Sequence, residues 1–74
     1  MTFYRLVPWR KIVEIAGEDR ALSTSICARE KGWGKLACGV EIRNWDREGT
    51  VWQVRGSLDQ LRPFSHPGDK DFKV

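Results

Sequence analysis

The stretch Glu41-Ile42-Arg43-Asn44-Trp45-Asp46-Arg47-Glu48-Gly49-Thr50-Val51-Trp52-Gln53-Val54-Arg55 reads as one two-stranded hairpin, and the rest of the fold follows from what that hairpin needs. In the first arm Val40 and Ile42 point one way while Glu41, Arg43 and Trp45 point the other. In the second, Trp52 and Val54 share a face and Gln53 and Arg55 take the opposite one. This alternation is the period of a half-buried strand. The tip, Asp46-Arg47-Glu48-Gly49, suits a four-residue loop whose glycine supplies the positive φ for entry into the second strand. A lone hairpin is only marginally stable in water, so Val40, Ile42, Trp52 and Val54 require a cover from elsewhere in the chain.

Upstream, Thr2 to Val7 is short and rich in β-favouring side chains, which predicts a strand beside the hairpin. Pro8 holds Val7 extended and suits the first position of a helix. From there Trp9, Ile12, Val13 and Ala16 recur at i, i+3, i+4 and i+7, with Arg10, Lys11 and Glu14 on the other side, and Gly17 stops the helix. The segment Glu18 to Gly32 is ambiguous. As a helix from Ser23 to Lys31, capped by Ser23 or Thr24, it places Leu22, Ile26 and Trp33 on one face and Thr24, Cys27, Ala28 and Lys31 on the other, behind a linker from Gly17 to Leu22. Read as a strand over Leu22 to Arg29, it fits the weak helix preference of Ser, Thr and Cys. Beyond the hairpin, Ser57 and Gln60 fit a capping box opening a short helix with Leu58 and Leu61 on its apolar side, stopped by Pro63. Phe64 follows as a candidate for docking on the core.

Seventy-four residues make one small domain, expected over residues 1–64, with 65–74 as a disordered tail because Phe72 is nearly its only large apolar side chain. Four Trp, three Phe and one Tyr can fill a core of this size, and Trp9, Trp33 and Trp52 are expected in it. Thirteen Lys and Arg against ten Asp and Glu give a net charge of +3, which permits a nucleic-acid partner without requiring one. Cys27 and Cys38, eleven positions apart, with His66 as the one histidine, match neither a zinc spacing nor a disulfide framework, so reduced thiols and a cytoplasmic location are expected. No signal peptide, long apolar run or lipidation motif is read, and neither a metal nor a cofactor is expected.

The order strand, helix, helix, hairpin, short helix is that of an α+β fold of the small winged-helix type, with a helix-turn-helix and a β-hairpin wing. Here the sequence resembles the phage excisionases, or recombination directionality factors, and the related MerR-like and Mu-type transposase DNA-binding domains. The resemblance is carried by Leu6-Val7-Pro8-Trp9 at the head of the first helix, by Ala28-Arg29-Glu30-Lys31-Gly32-Trp33 closing the second, and by Gly49 to Leu61, where a glycine and an aromatic lead into a short Leu-bearing helix. Against that pattern, the linker between helices and the hairpin are both longer and the net charge is low. The resemblance implies a non-catalytic protein of a phage or mobile element that binds double-stranded DNA, bends it or contacts an integrase, and favours excision, or else a small transcriptional regulator.

For such a protein Ser23, Thr24, Lys31 and Arg29 would face the major groove from the second helix. Arg43, Arg47 and Arg55 would follow the backbone or enter the minor groove from the wing, and Arg10 and Lys11 would hold an adjacent phosphate. Taken singly, each is better explained as a solvated charge, and only the cluster of Arg43, Arg47 and Arg55 on one hairpin is telling, with Glu41, Asp46 and Glu48 offsetting part of its field. Trp45 is either a stacking or protein-contact residue or the cover of a second sheet face.

The competing class is a small antiparallel β-barrel interaction module, in which Leu22 to Arg29 is a strand and the aromatic face binds a protein, as a phage-encoded inhibitor, or a nucleic acid. Enzymatic function is not expected, because the one histidine, His66, sits in the expected tail between Ser65 and Pro67 and no carboxylates are paired by spacing for an obvious role. Neither a membrane nor a small-molecule substrate is implied.

Overall fold

The computed structural model describes residues 1–64 and 72–73. Strand β1 (Phe3–Pro8) runs directly into helix α1 (Trp9–Ala16), and α2 (Glu18–Lys31) follows after Gly17 alone. Then come β2 (Gly34–Lys35), β3 (Glu41–Asn44), β4 (Val51–Gly56), the short helix α3 (Leu58–Leu61) with a 3-10 turn (Arg62–Phe64), and β5 (Phe72–Lys73). The strands form one antiparallel sheet in the order β2-β3-β4-β1-β5. The fold class is therefore α+β, as the sequence indicates.

The hairpin forms, with Ile42 opposite Val54 and Asn44 opposite Trp52, and with the Trp45 amide donating to the Val51 carbonyl at 3.0 Å its loop is longer than the four residues expected. The hairpin's cover is as expected on one side, since β1 pairs with β4, placing Val7 opposite Trp52 and Arg5 opposite Val54. Val7, Ile12, Val40, Ile42, Trp52, Val54, Leu61 and Phe64 are all buried and form one core beneath the helices. Pro8 is the residue before the helix, extended at φ −72° and ψ 152°. The first free amide of α1, on Trp9, donates to the Thr50 carbonyl at 2.9 Å, which ties the helix to the hairpin. At the other end both halves of the capping box are present, with the Gln60 amide donating to Ser57 Oγ and the Ser57 amide to Gln60 Oε1.

The segment 22–29 is helical, so the strand reading and the barrel built on it are set aside. The helix also begins earlier than Ser23 or Thr24 can cap it. Glu18 and Asp19 occupy its first turn, where their charge favours the helix N-terminus, and no side-chain cap is present. The linker thereby shrinks from Gly17–Leu22 to Gly17, held at φ 88°.

The face that α2 buries is not the one its large apolar residues suggest. Ala21, Thr24, Ser25 and Ala28 pack on the sheet, whereas Leu22 is 47 % and Ile26 58 % exposed. The cause lies at Gly34, where the backbone of β2 passes directly under α2. A Cβ there would collide with the Thr24 carbonyl and stand 2.9 Å from Thr24 Cγ2. Only small side chains fit so close an approach, and Leu22 and Ile26 are rotated away from it.

The expected disordered tail lies outside the described residues, except for Phe72–Lys73, whose backbone pairs with Tyr4 and Phe3 of β1. Among the described residues no helix is long and apolar enough to cross a membrane.

Candidate nucleic-acid interface

Among the described residues the helices pack on one face of the sheet and none covers the other. By strand alternation that open face carries Tyr4 and Leu6 of β1, Gln53 and Arg55 of β4, and Glu41 and Arg43 of β3. Trp33, immediately before β2, crosses to the same side. Its ring lies 3.7 Å from the Arg55 guanidinium carbon, 5.0 Å from that of Arg43 and 6.2 Å from the Tyr4 ring. Such contacts are favourable because the negative ring face meets a delocalised cation.

The arginines are fixed from below. Arg43 Nε donates to Gln53 Oε1 at 2.8 Å, and Arg55 Nε donates to Glu41 Oε1 at 3.1 Å. Under this cluster Gln53 is only 4 % exposed although it lies on the open face. Burial works against the charge of Arg55, but its hydrogen bonds to Glu41 and Tyr4 outweigh that and raise its pKa above the ordinary arginine value. The result is a preorganised plane of two guanidiniums and an indole, with one carboxylate neutralising part of the charge. Trp33, expected in the core, is instead half-buried in this plane, and nothing in its local sequence reveals the crossing.

At the hairpin tip a single carboxylate organises the loop. Asp46 Oδ1 accepts the amides of Glu48 (3.2 Å) and Gly49 (3.0 Å), and Oδ2 accepts the amide of Val51 (3.1 Å) and the Thr50 hydroxyl. The Thr50 hydroxyl is the largest influence holding the Asp46 pKa below its ordinary value; partial desolvation opposes it, and the backbone amides add to it. Gly49 has the positive φ (87°) expected of it, and Arg47 also has one, at 66°. Arg47 projects from this loop and is exposed, while Trp45 at the loop's start is 49 % exposed.

The residues expected on the helices are placed apart from this plane. Ser23, Arg29 and Lys31 are exposed on α2, and the Arg29 guanidinium lies against Gly49 of the hairpin loop. Thr24 is 6 % exposed and packs against Gly34, unlike the exposed residues of the set. Arg10 is exposed on α1, and Lys11 pairs with Glu14 at 3.6 Å. The structure thus brings Arg43 and Arg55 together on the sheet face, and sets Arg29 of α2 beside the hairpin loop that carries Arg47.

Cys27 and Cys38 are free thiols. His66 lies outside the described residues. Comparison with protein-family models, with curated proteins and with solved structures finds no match to this chain.

Proposed function

We propose that this chain is a non-catalytic nucleic-acid-binding module whose contact surface is the open sheet face. The observation that carries this reading is the stacking of Arg55 and Arg43 on Trp33, on a face that no helix covers. Guanidiniums neutralise phosphates, and indole and phenol rings offer stacking surfaces that accept any base. Width argues for a single strand as the ligand. Strands lie about 4.8 Å apart, so the backbones of β2, β3, β4 and β1 span roughly 14 Å, wider than the major groove of about 12 Å. A flat face of that width suits an unpaired strand laid across it.

A second reading keeps the winged helix and double-stranded DNA. It is supported by the element order and by the exposure of Arg47 at the tip of the β3–β4 hairpin, which is narrow enough to reach a groove. In that form Ser23, Arg29 and Lys31 of α2 face the major groove, and the protein acts in the excisionase-like manner, with an integrase or other protein as partner. Arg43 and Arg55, on the far side of the sheet, then play no part in binding.

Fluorescence anisotropy with a labelled single-stranded oligonucleotide and its matched duplex, across a salt series, separates the two. Tighter single-strand binding that is weakened by Arg43→Gln and Arg55→Gln supports the sheet-face reading. Tighter duplex binding that is weakened by Arg47→Ala and Lys31→Gln but unaffected by the sheet variants supports the winged helix. Binding to neither at low salt overturns both.

A further inference from the structure

The outer side of α2 carries an exposed stripe whose basic end, Arg29, reaches the hairpin loop at Gly49. Glu18, Leu22, Ile26 and Arg29 follow one another at spacings of four, four and three along the helix, so they lie on one side of it. Leu22 and Ile26 are 47 % and 58 % exposed, and Ser25 is folded back by its hydroxyl bond to the Leu22 carbonyl at 2.7 Å. Beside the stripe runs a shallow groove between α2, the start of α1 and the hairpin loop, floored by Trp9 and Trp52 and edged by Glu48 and Gly49. The stripe is acidic at its beginning, apolar in the middle and basic at its end.

We propose that this stripe is the interface of a symmetric homodimer, in which α2 packs antiparallel on α2 of a second copy. The order of the charges sets the pairing. A two-fold axis crossing the helix between residues 23 and 24 sets Glu18 against Arg29 of the partner copy and Arg29 against its Glu18. The same axis brings Leu22 of each copy beside Ile26 of the other, so the apolar ridge of one copy enters the groove of its partner. An interface that meets itself must be self-complementary under exchange, and this sequence of acid, apolar pair and base is so only when antiparallel. A parallel pairing would set Glu18 on Glu18 and Arg29 on Arg29. The fourteen residues of α2 span about 21 Å, which makes the contact small and the association correspondingly weak.

Sedimentation velocity of the full chain from about 10 µM to 1 mM, a window suited to weak association, tests this directly. A concentration-dependent shift from monomer to dimer is expected. Leu22→Glu and Ile26→Glu should each weaken dimerisation roughly 30-fold or more, as loss of a central apolar contact does, with circular dichroism confirming that the exposed substitutions leave the fold intact. Glu18→Arg and Arg29→Glu should each weaken it roughly tenfold. Mixing those two single variants should restore association, because only the mixed pair regains both ion pairs, and the double variant E18R/R29E should dimerise like the wild type. A chain that stays monomeric throughout has another occupant for the stripe, and the proposal fails. It fails equally if the wild type dimerises but the Leu22 and charge variants do so unchanged.

Discussion

The guanidinium carbon of Arg55 lies 3.7 Å from the Trp33 ring, although Trp33 leaves α2 on one side of the sheet and Arg55 projects from β4 on the other. The chain turns the sheet edge between Gly32 and Gly34, and Trp33 is the residue it carries across. If the resulting plane binds a nucleic acid, Arg43→Gln and Arg55→Gln should each reduce the slope of log affinity against log salt by about one contact's worth, close to 0.7 for a single strand. Trp33→Leu should cost about 1–3 kcal/mol of binding through lost stacking. Anisotropy titrations at several salt concentrations measure both.

Asp46 accepts bonds from Glu48, Gly49, Thr50 and Val51, all of them to its ionised form. Its pKa in the folded chain is therefore below the value it has when unfolded. The sign follows from linkage: the stability it contributes is complete above the unfolded carboxylate pKa and is lost as the pH falls through the lowered folded one. Asp46→Ala should consequently be less stable than the wild type at pH 7, and the gap should narrow below about pH 4. Urea unfolding at both pH values checks this, and a gap that is unchanged at low pH would show that the carboxylate's charge is irrelevant to the loop.

Gly34 has no room for a side chain. Gly34→Ala sets a methyl against the Thr24 carbonyl and Ala28 nitrogen, the latter 3.2 Å away, and α2 must lift from the sheet to admit it. A loss of about 1–3 kcal/mol is expected, as for other overpacked cores, read as a lower urea midpoint with unchanged slope.

Phe64 is fully buried at the end of the 3-10 turn that Pro63 imposes on α3. Phe64→Ala should cost about 3–5 kcal/mol, enough to leave a chain of this size largely unfolded at room temperature. Far-ultraviolet circular dichroism distinguishes this from a merely local effect.

Where the sequence was legible, a short-range signal and a long-range need agreed. Pro8 followed by the spacing of Trp9, Ile12, Val13 and Ala16 gives α1 its observed bounds, and Ser57 with Gln60 gives α3 its capping box. The alternation of Ile42, Trp52 and Val54 gives the hairpin register, because a slip by one residue would turn all three to solvent. The orientation of α2 was not legible. Burial of Leu22 and Ile26 is the natural expectation from their hydropathy, and it fails because the distance between helix and sheet is set by Gly34, a residue in a different element. For the same reason the small residues Ala21, Thr24, Ser25 and Ala28 gave no sign that theirs was the buried face. The candidate plane was half legible. Arg43 and Arg55 are on one side of the hairpin by alternation, but their partner Trp33 arrives from outside it.

The pairing of Phe3 with Gly56, and of each β1 residue with its counterpart in β4, closes the chain on itself over nearly its whole described length. During synthesis β1, α1 and α2 leave the ribosome with no sheet to join, and Val7 and Ile12 stay wet until β4 follows. The hairpin, whose contacts are local, is then the first part able to form, and β1 must find it afterwards across a large loop. A nascent chain halted before Val54 lacks the strand on which both β1 and β3 pair, so the core can close only once β4 has been made.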